Sequence, residues 1–133
     1  MKSIFAFVLA LASISVFANT NGARQTLNGL VGTSLAGVNP ESGEACRITI
    51  QRRGAGIRIS TLGASATIPD SLRRNSPRHR LTIENGQQWS DASLVYVNAA
   101  TARSAIIGMG GNGEVASVHL TIGERDYLCE ATN

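Results

Sequence analysis

Beyond its first forty or so residues the chain is written in period two. Cys46, Ile48 and Ile50 share one face of an extended segment while Arg47, Thr49 and Gln51 take the other, and after Arg53-Gly54-Ala55-Gly56 the alternation resumes with Ile57 and Ile59 against Arg58 and Ser60. Successive side chains of a strand point to opposite faces, so this spacing predicts a hairpin with one face on a core and one in water. Further strands are expected at Ala64–Ile68, His79–Glu84, Ala92–Asn98, Arg103–Gly108, Glu114–Ile122 and Asp126–Ala131, with a less regular one at Val31–Val38. No ten-residue stretch of the rest of the chain places apolar residues at i, i+3, i+4 and i+7, so no helix is expected there. The fold class that follows is all-β: a small single-domain antiparallel β-barrel of about eight strands, or a compact β-sandwich.

Two cysteines, Cys46 and Cys129, have one possible intramolecular pairing, and both stand among apolar neighbours in their strands. A disulfide between an early strand and the last one is therefore expected on the core side. With no C-x-x-C and only two histidines, neither a metal cluster nor a redox pair is expected, and no cofactor.

The compartment follows from residues 1–18. Lys2 precedes an apolar run from Ile4 to Leu11, and Val16 and Ala18 stand at the −3 and −1 positions of a cleavage site. This pattern is that of a secretory signal peptide, with Ser13 and Ser15 breaking the run before it reaches the ~20 apolar residues of a membrane span. Residues 19–133 would then form the mature domain, which contains no run long enough to cross a bilayer as a helix. The absence of an N-x-Ser/Thr sequon fits a bacterial periplasmic or secreted protein. Removing the leader takes away the only lysine and all three phenylalanines, and leaves eleven arginines against nine acids, a formal +2. So small an excess does not imply nucleic acid.

Candidate chemistry is sparse. Gly108-Met109-Gly110-Gly111-Asn112-Gly113 has the G-x-G-x-x-G spacing, but a strand follows it, and Asn112-Gly113 suits a type I′ hairpin turn better than a dinucleotide loop. Arg73, Arg74, Arg78 and Arg80 crowd around Asn75-Ser76-Pro77, where guanidinium forks suit an anionic ligand or an acidic partner surface; the structural alternative is a charged loop that keeps a sheet edge from pairing. Trp89 stands in a polar loop and either anchors a partner or folds back to plug one end of the barrel. His119 stands on the polar face of its strand beside Ser117 and Thr121, with Asp91 and Asp126 as candidates to complete a triad, and His79 is either a second base or a cap on the core. There is no G-x-S-x-G elbow and no H-E-x-x-H.

The outline of one export signal, one disulfide and about eight short antiparallel strands is similar in architecture to small periplasmic barrels that include bacterial protease inhibitors, and more distantly to the avidin and lipocalin group. The lipocalin G-x-W opening is missing at Leu27-Asn28-Gly29-Leu30. The likeness to inhibitors implies an N-terminal arm, Asn19–Gln25, that enters a cleft. The expectation is an exported binding module that meets a protein or anionic partner through Arg73, Arg74, Arg78, Arg80 and Trp89. The alternatives are a small hydrolase-type enzyme using His119 or His79, or a structural envelope protein.

Overall fold

The computed structural model describes residues 20–86 and 90–132, so the leader and Trp89 lie outside the described residues. One helix, α1 (Thr20–Gly29), precedes nine strands: β1 (Thr33–Val38), β2 (Ala45–Arg53), β3 (Gly56–Thr61), β4 (Ala64–Pro69), β5 (His79–Asn85), β6 (Ala92–Asn98), β7 (Arg103–Met109), β8 (Val115–Ile122) and β9 (Arg125–Ala131). All lie in one antiparallel sheet of order β4-β3-β2-β1-β9-β8-β7-β6-β5. Two meanders, β1–β4 and β5–β9, are thus joined edge to edge where the first strand meets the last. The sheet curls into a half-barrel, with β3 and β4 packed across β8 and β9.

The alternation sets the core. Ile48, Ile50, Ile57, Ile59, Ile68, Leu81, Leu94, Ile107, Val118 and Leu120 are all at most 1% exposed. Their partners one residue away face the other side, as period two requires. The irregular segment near Val31 is a genuine strand, paired through six residues with β2 from Thr33↔Ile50 to Val38↔Ala45.

The seam between the two meanders is short. β1 and β9 share only Gly37↔Ala131 and Val38↔Glu130 in register, extended by the Thr132 amide donating to Ala36. Directly beneath it the Cys46–Cys129 disulfide links β2 to β9 past the intervening strand, with 6.1 Å between Cα atoms. That approach requires a glycine at position 37, where a Cβ would stand 2.5 Å from the Glu130 carbonyl oxygen and 2.7 Å from Cys129 Sγ.

Two expectations are corrected. The segment expected to be an arm is helix α1, whose Ala23 and Leu27 are fully buried and which packs on β5 and β6. It closes the end of the half-barrel at which β1 begins, so Asn19–Gln25 is not a free arm where it is described. Asn112-Gly113 is not a two-residue type I′ turn either. The β7–β8 connection is the five-residue loop Gly110–Glu114, closed by the Gly110 amide donating to Glu114, and only Gly113 in it takes positive φ, at 85°.

The turn with two positive φ values lies elsewhere, at Leu62 (53°) and Gly63 (78°) between β3 and β4. A leucine in the left-handed region is strained by about 1–2 kcal/mol, and asparagine tolerates it better. Leu62→Asn is therefore expected to raise stability by about 0.5–1 kcal/mol. An unchanged or lower denaturant midpoint would show that leucine contacts at the turn outweigh the strain.

Candidate functional site

β4 ends beside the start of β3, at the end closed by α1, whereas β5 begins at the opposite end beside the last residue of β6. No ladder joins β4 to β5. Residues 70–78 must therefore run back along this open side of the barrel. At one end the Asp70 amide donates to Ala55, and at the other the Ala99 amide donates to Arg78. Midway, Asn75 Oδ1 accepts the Leu81 amide at 2.9 Å and so caps part of the free edge of β5, while Leu72 sinks into the core. The arginine loop is thus also the strap that covers a sheet edge.

The strap divides the predicted arginine cluster. Arg78 and Arg80 lie toward the far end, where Arg80 donates to the Pro77 carbonyl at 3.2 Å. Arg73 instead faces charges from other elements. Arg24 of α1 donates to the carbonyls of Pro69 at 2.7 Å and Leu72 at 3.2 Å, and its other terminal nitrogen stands 3.8 Å from Asp70 Oδ1. Arg52 at the end of β2 meets Asp70 Oδ2 at 2.9 Å. Burial lowers the pKa of the Arg24 guanidinium; Asp70 opposes that shift, and the positive charges of Arg73 and Arg52 add to it. Two arginines from different elements therefore share the Asp70 carboxylate, with Arg73 near enough for its charge to act on Arg24. Arg24 and Arg52 were not legible as site residues, because only the crossover brings them to Arg73. Arg74 is exposed on the same strap.

The histidines separate. His119 Nε2 lies 3.0 Å from Asp126 Oδ1, and the Thr121 hydroxyl donates to the same oxygen at 2.9 Å. These bonds, with the imidazole first, hold the Asp126 carboxyl below the usual carboxylate range on an exposed face. Asp91 does not join them: it precedes β6 and its amide donates to Met109. The hydroxyl in this group serves the carboxylate, not the imidazole, so the trio lacks the order of a nucleophile–base–carboxylate relay. His79 is 3.1 Å from the Tyr96 hydroxyl and meets that ring edge-on at 5.6 Å between centroids. Tyr96 is 2% exposed, and its burial raises the phenol pKa against the opposing hydrogen bond from Asn98. His79 thus lies against a buried ring at a strand start.

Away from the helix-closed end, a polar groove of about 850 Å³ runs along β2, β3 and β4, lined by Arg47, Thr49, Arg58, Ser60, Thr61 and Ser65. Thr49 and Ser60 share a short hydroxyl–hydroxyl hydrogen bond, and Arg47 donates to Ser34 at 3.0 Å. Arg58 Nε and Thr61 Oγ1 are buried without a hydrogen-bond partner, the second on the core face that Thr61 shares with Ile57 and Ile59.

Among the described residues no helix is long and apolar enough to cross a membrane, and no group of three or more His, Cys, Asp or Glu side chains is placed to hold a metal ion. The disulfide fits an oxidising compartment. No protein-family model matches the chain, and neither the curated proteins nor the solved structures include a significant match.

Proposed function

We propose that the chain is an exported binding module that recognises an acidic partner surface at the helix-closed end of the half-barrel. The observation that carries this is the pairing of Arg24 and Arg52 with the single carboxylate of Asp70, with the exposed Arg73 close enough to act on Arg24. Arg24 is fixed by two backbone carbonyls and leaves Asp70 to bridge it to Arg52, while Arg73 is exposed beside them. Guanidinium groups held in place before binding lose less entropy when they meet a carboxylate or phosphate. Arg74, Arg78 and Arg80 extend the positive strap along the side and would steer an approaching acidic surface more than grip it.

A fluorescent hexa-aspartate peptide is a suitable probe for the oxidised protein. Binding should weaken steeply between about 50 mM and about 500 mM salt, and the Arg52→Gln/Arg73→Gln double variant should lose at least about tenfold in affinity. Asp70→Asn should bind more tightly than the native chain, because it removes the one competing carboxylate. Equal binding by the native chain and the double variant, or affinity that ignores salt, would remove this face from consideration.

A further inference from the structure

We propose that the free edge of β4 is a second, independent site, which takes the extended C-terminal end of a peptide as an added strand. The ladder fixes which backbone groups face outward. Leu62 and Gly63, both at positive φ, make a two-residue turn, so Thr61 and Ala64 exchange hydrogen bonds, as do Ile59↔Ala66 and Ile57↔Ile68. The Asp70 amide donating to Ala55 continues that alternation. The N–H and C=O of Ser65 and Thr67, and the C=O of Pro69, therefore point away from β3, toward a side on which β4 has no neighbouring strand. Two arginines already hold the ends of this edge: Arg103 donates to the Ser65 carbonyl at 2.6 Å and Arg24 to that of Pro69 at 2.7 Å. Between them Thr67 is exposed, and among the described residues no hydrogen bond from another element reaches its outward backbone groups. The strap caps part of the β5 edge through Asn75 and leaves this one open at Thr67.

A cavity of about 320 Å³ lies against this edge, lined by Ser65, Thr67, Tyr96, Asn98, Thr101 and Arg103. No carboxylate lines it, and among the described residues Arg103 has no acidic group within ion-pair reach, whereas Arg24 and Arg52 already meet Asp70. Arg103 commits one terminal nitrogen to Ser65 and keeps the rest of its guanidinium fork for an incoming anion. A strand added antiparallel to β4 brings these groups into register. Its residue opposite Thr67 exchanges two backbone hydrogen bonds, and the residue two further on lies opposite Ser65, beside Arg103. There the Ser65 carbonyl is already held, and a terminal carboxylate is the group that satisfies both the Ser65 N–H and the guanidinium. A strand laid parallel would instead put its amino end, a second positive charge, beside the same arginine. The residue between the two lies opposite the buried Ala66 and turns its side chain toward the wall of Tyr96 and Asn98, where the Asn98 amide donates to the Tyr96 hydroxyl at 3.4 Å.

Titration of the isotope-labelled, oxidised chain with the peptide acetyl-Thr-Val-Ser-Val, followed by NMR, tests this. The free acid should bind with a Kd of about 1 mM or lower and shift the Ser65 and Thr67 amide signals first. The same peptide ending in a carboxamide should bind at least about tenfold more weakly, the scale of one charge-assisted hydrogen bond. N-methylation of the antepenultimate residue, whose N–H donates to the Thr67 carbonyl, should cost about tenfold; N-methylation of the penultimate residue, whose N–H points away from β4, should cost less than about twofold. Thr67→Pro removes the outward N–H without touching the β3 ladder, as Pro69 already does two residues on, and should lose at least about tenfold. Arg103→Gln should lose about tenfold for the free acid and little for the carboxamide. The Arg52→Gln/Arg73→Gln double variant should bind the peptide like the native chain, which separates this site from the acidic-surface reading. Each variant is first matched to the native chain by its melting curve, and the two N-methyl peptides carry the test if neither variant folds. No saturation by the free acid, equal binding of the carboxamide or of acetate, equal cost of the two N-methyl groups, or shifts confined to β5 would overturn the proposal.

Discussion

Replacing Cys46 and Cys129 together by alanine should cost about 4–5 kcal/mol of stability, most of what a domain of this size has to spare. The bond closes a loop of 83 residues, nearly the whole sheet, and in the chain-entropy model the stabilisation grows with the logarithm of that length. Its placement adds a local reason. The two meanders are held edge to edge by a ladder of just two register pairs, Gly37↔Ala131 and Val38↔Glu130, whereas every other junction in the sheet is longer. Without the bond, the sheet should open first at this junction. Urea unfolding of the double variant should give a much lower midpoint with little change in slope, and hydrogen exchange should accelerate at Val38 and Ala131 before it does in β6 and β7. A loss below about 1 kcal/mol would mean that the β1–β9 ladder and the packing of β3 and β4 across β8 and β9 hold the halves together unaided.

How far the architecture is written in the residues depends on which interactions are local. Alternation in Cys46–Gln51 or Ala116–Ile122 is local: each side chain declares its face, and the strand bounds found by pairing differ from those in the pattern by one or two residues at most sites. The disulfide needed no distance information, since two cysteines in one chain pair in one way. What the pattern could not show is how strands close on one another. Gly37 reads as a weak strand residue until Cys129 Sγ is found where its side chain would be. Arg24 and Arg52 are far apart in sequence and meet at Asp70 only once the sheet and helix are folded, and the strap of residues 70–78 is what brings Arg73 near Arg24. Asn112-Gly113 does lie in the β7–β8 hairpin connection, but the dipeptide that favours a type I′ turn also suits a longer loop in which glycine alone goes left-handed.

The helix is the clearest failure of periodicity, and it carries the second large prediction. Ala23, Leu27 and Leu30 do stand at i, i+4 and i+7, but Thr26 occupies the i+3 position and the remaining residues of Thr20–Gly29 are polar or glycine, so the apolar stripe is one residue wide. So narrow a stripe cannot hold an isolated helix of ten residues; docking on the sheet must do so. Leu27 is fully buried in the shared core, and Arg24 on the neighbouring turn is latched to Pro69 and Leu72. Leu27→Ala should therefore cost about 2–5 kcal/mol, through lost burial and the cavity left under the lid. Asn28→Ala, exposed on the other side of the same turn, should stay within about 0.5 kcal/mol of the native chain. The pair separates docking from helix propensity, because alanine is the better helix former at both positions. Thermal melts with hydrogen exchange at residues 23–27 would show the difference: fast exchange in Leu27→Ala with β2 and β3 still protected means that α1 lifts away and opens the barrel end, and the Arg24–Asp70–Arg52 arrangement should be lost with it. A cost for Leu27→Ala below about 1 kcal/mol would mean that the strap at Leu72, not the helix, closes that end of the core.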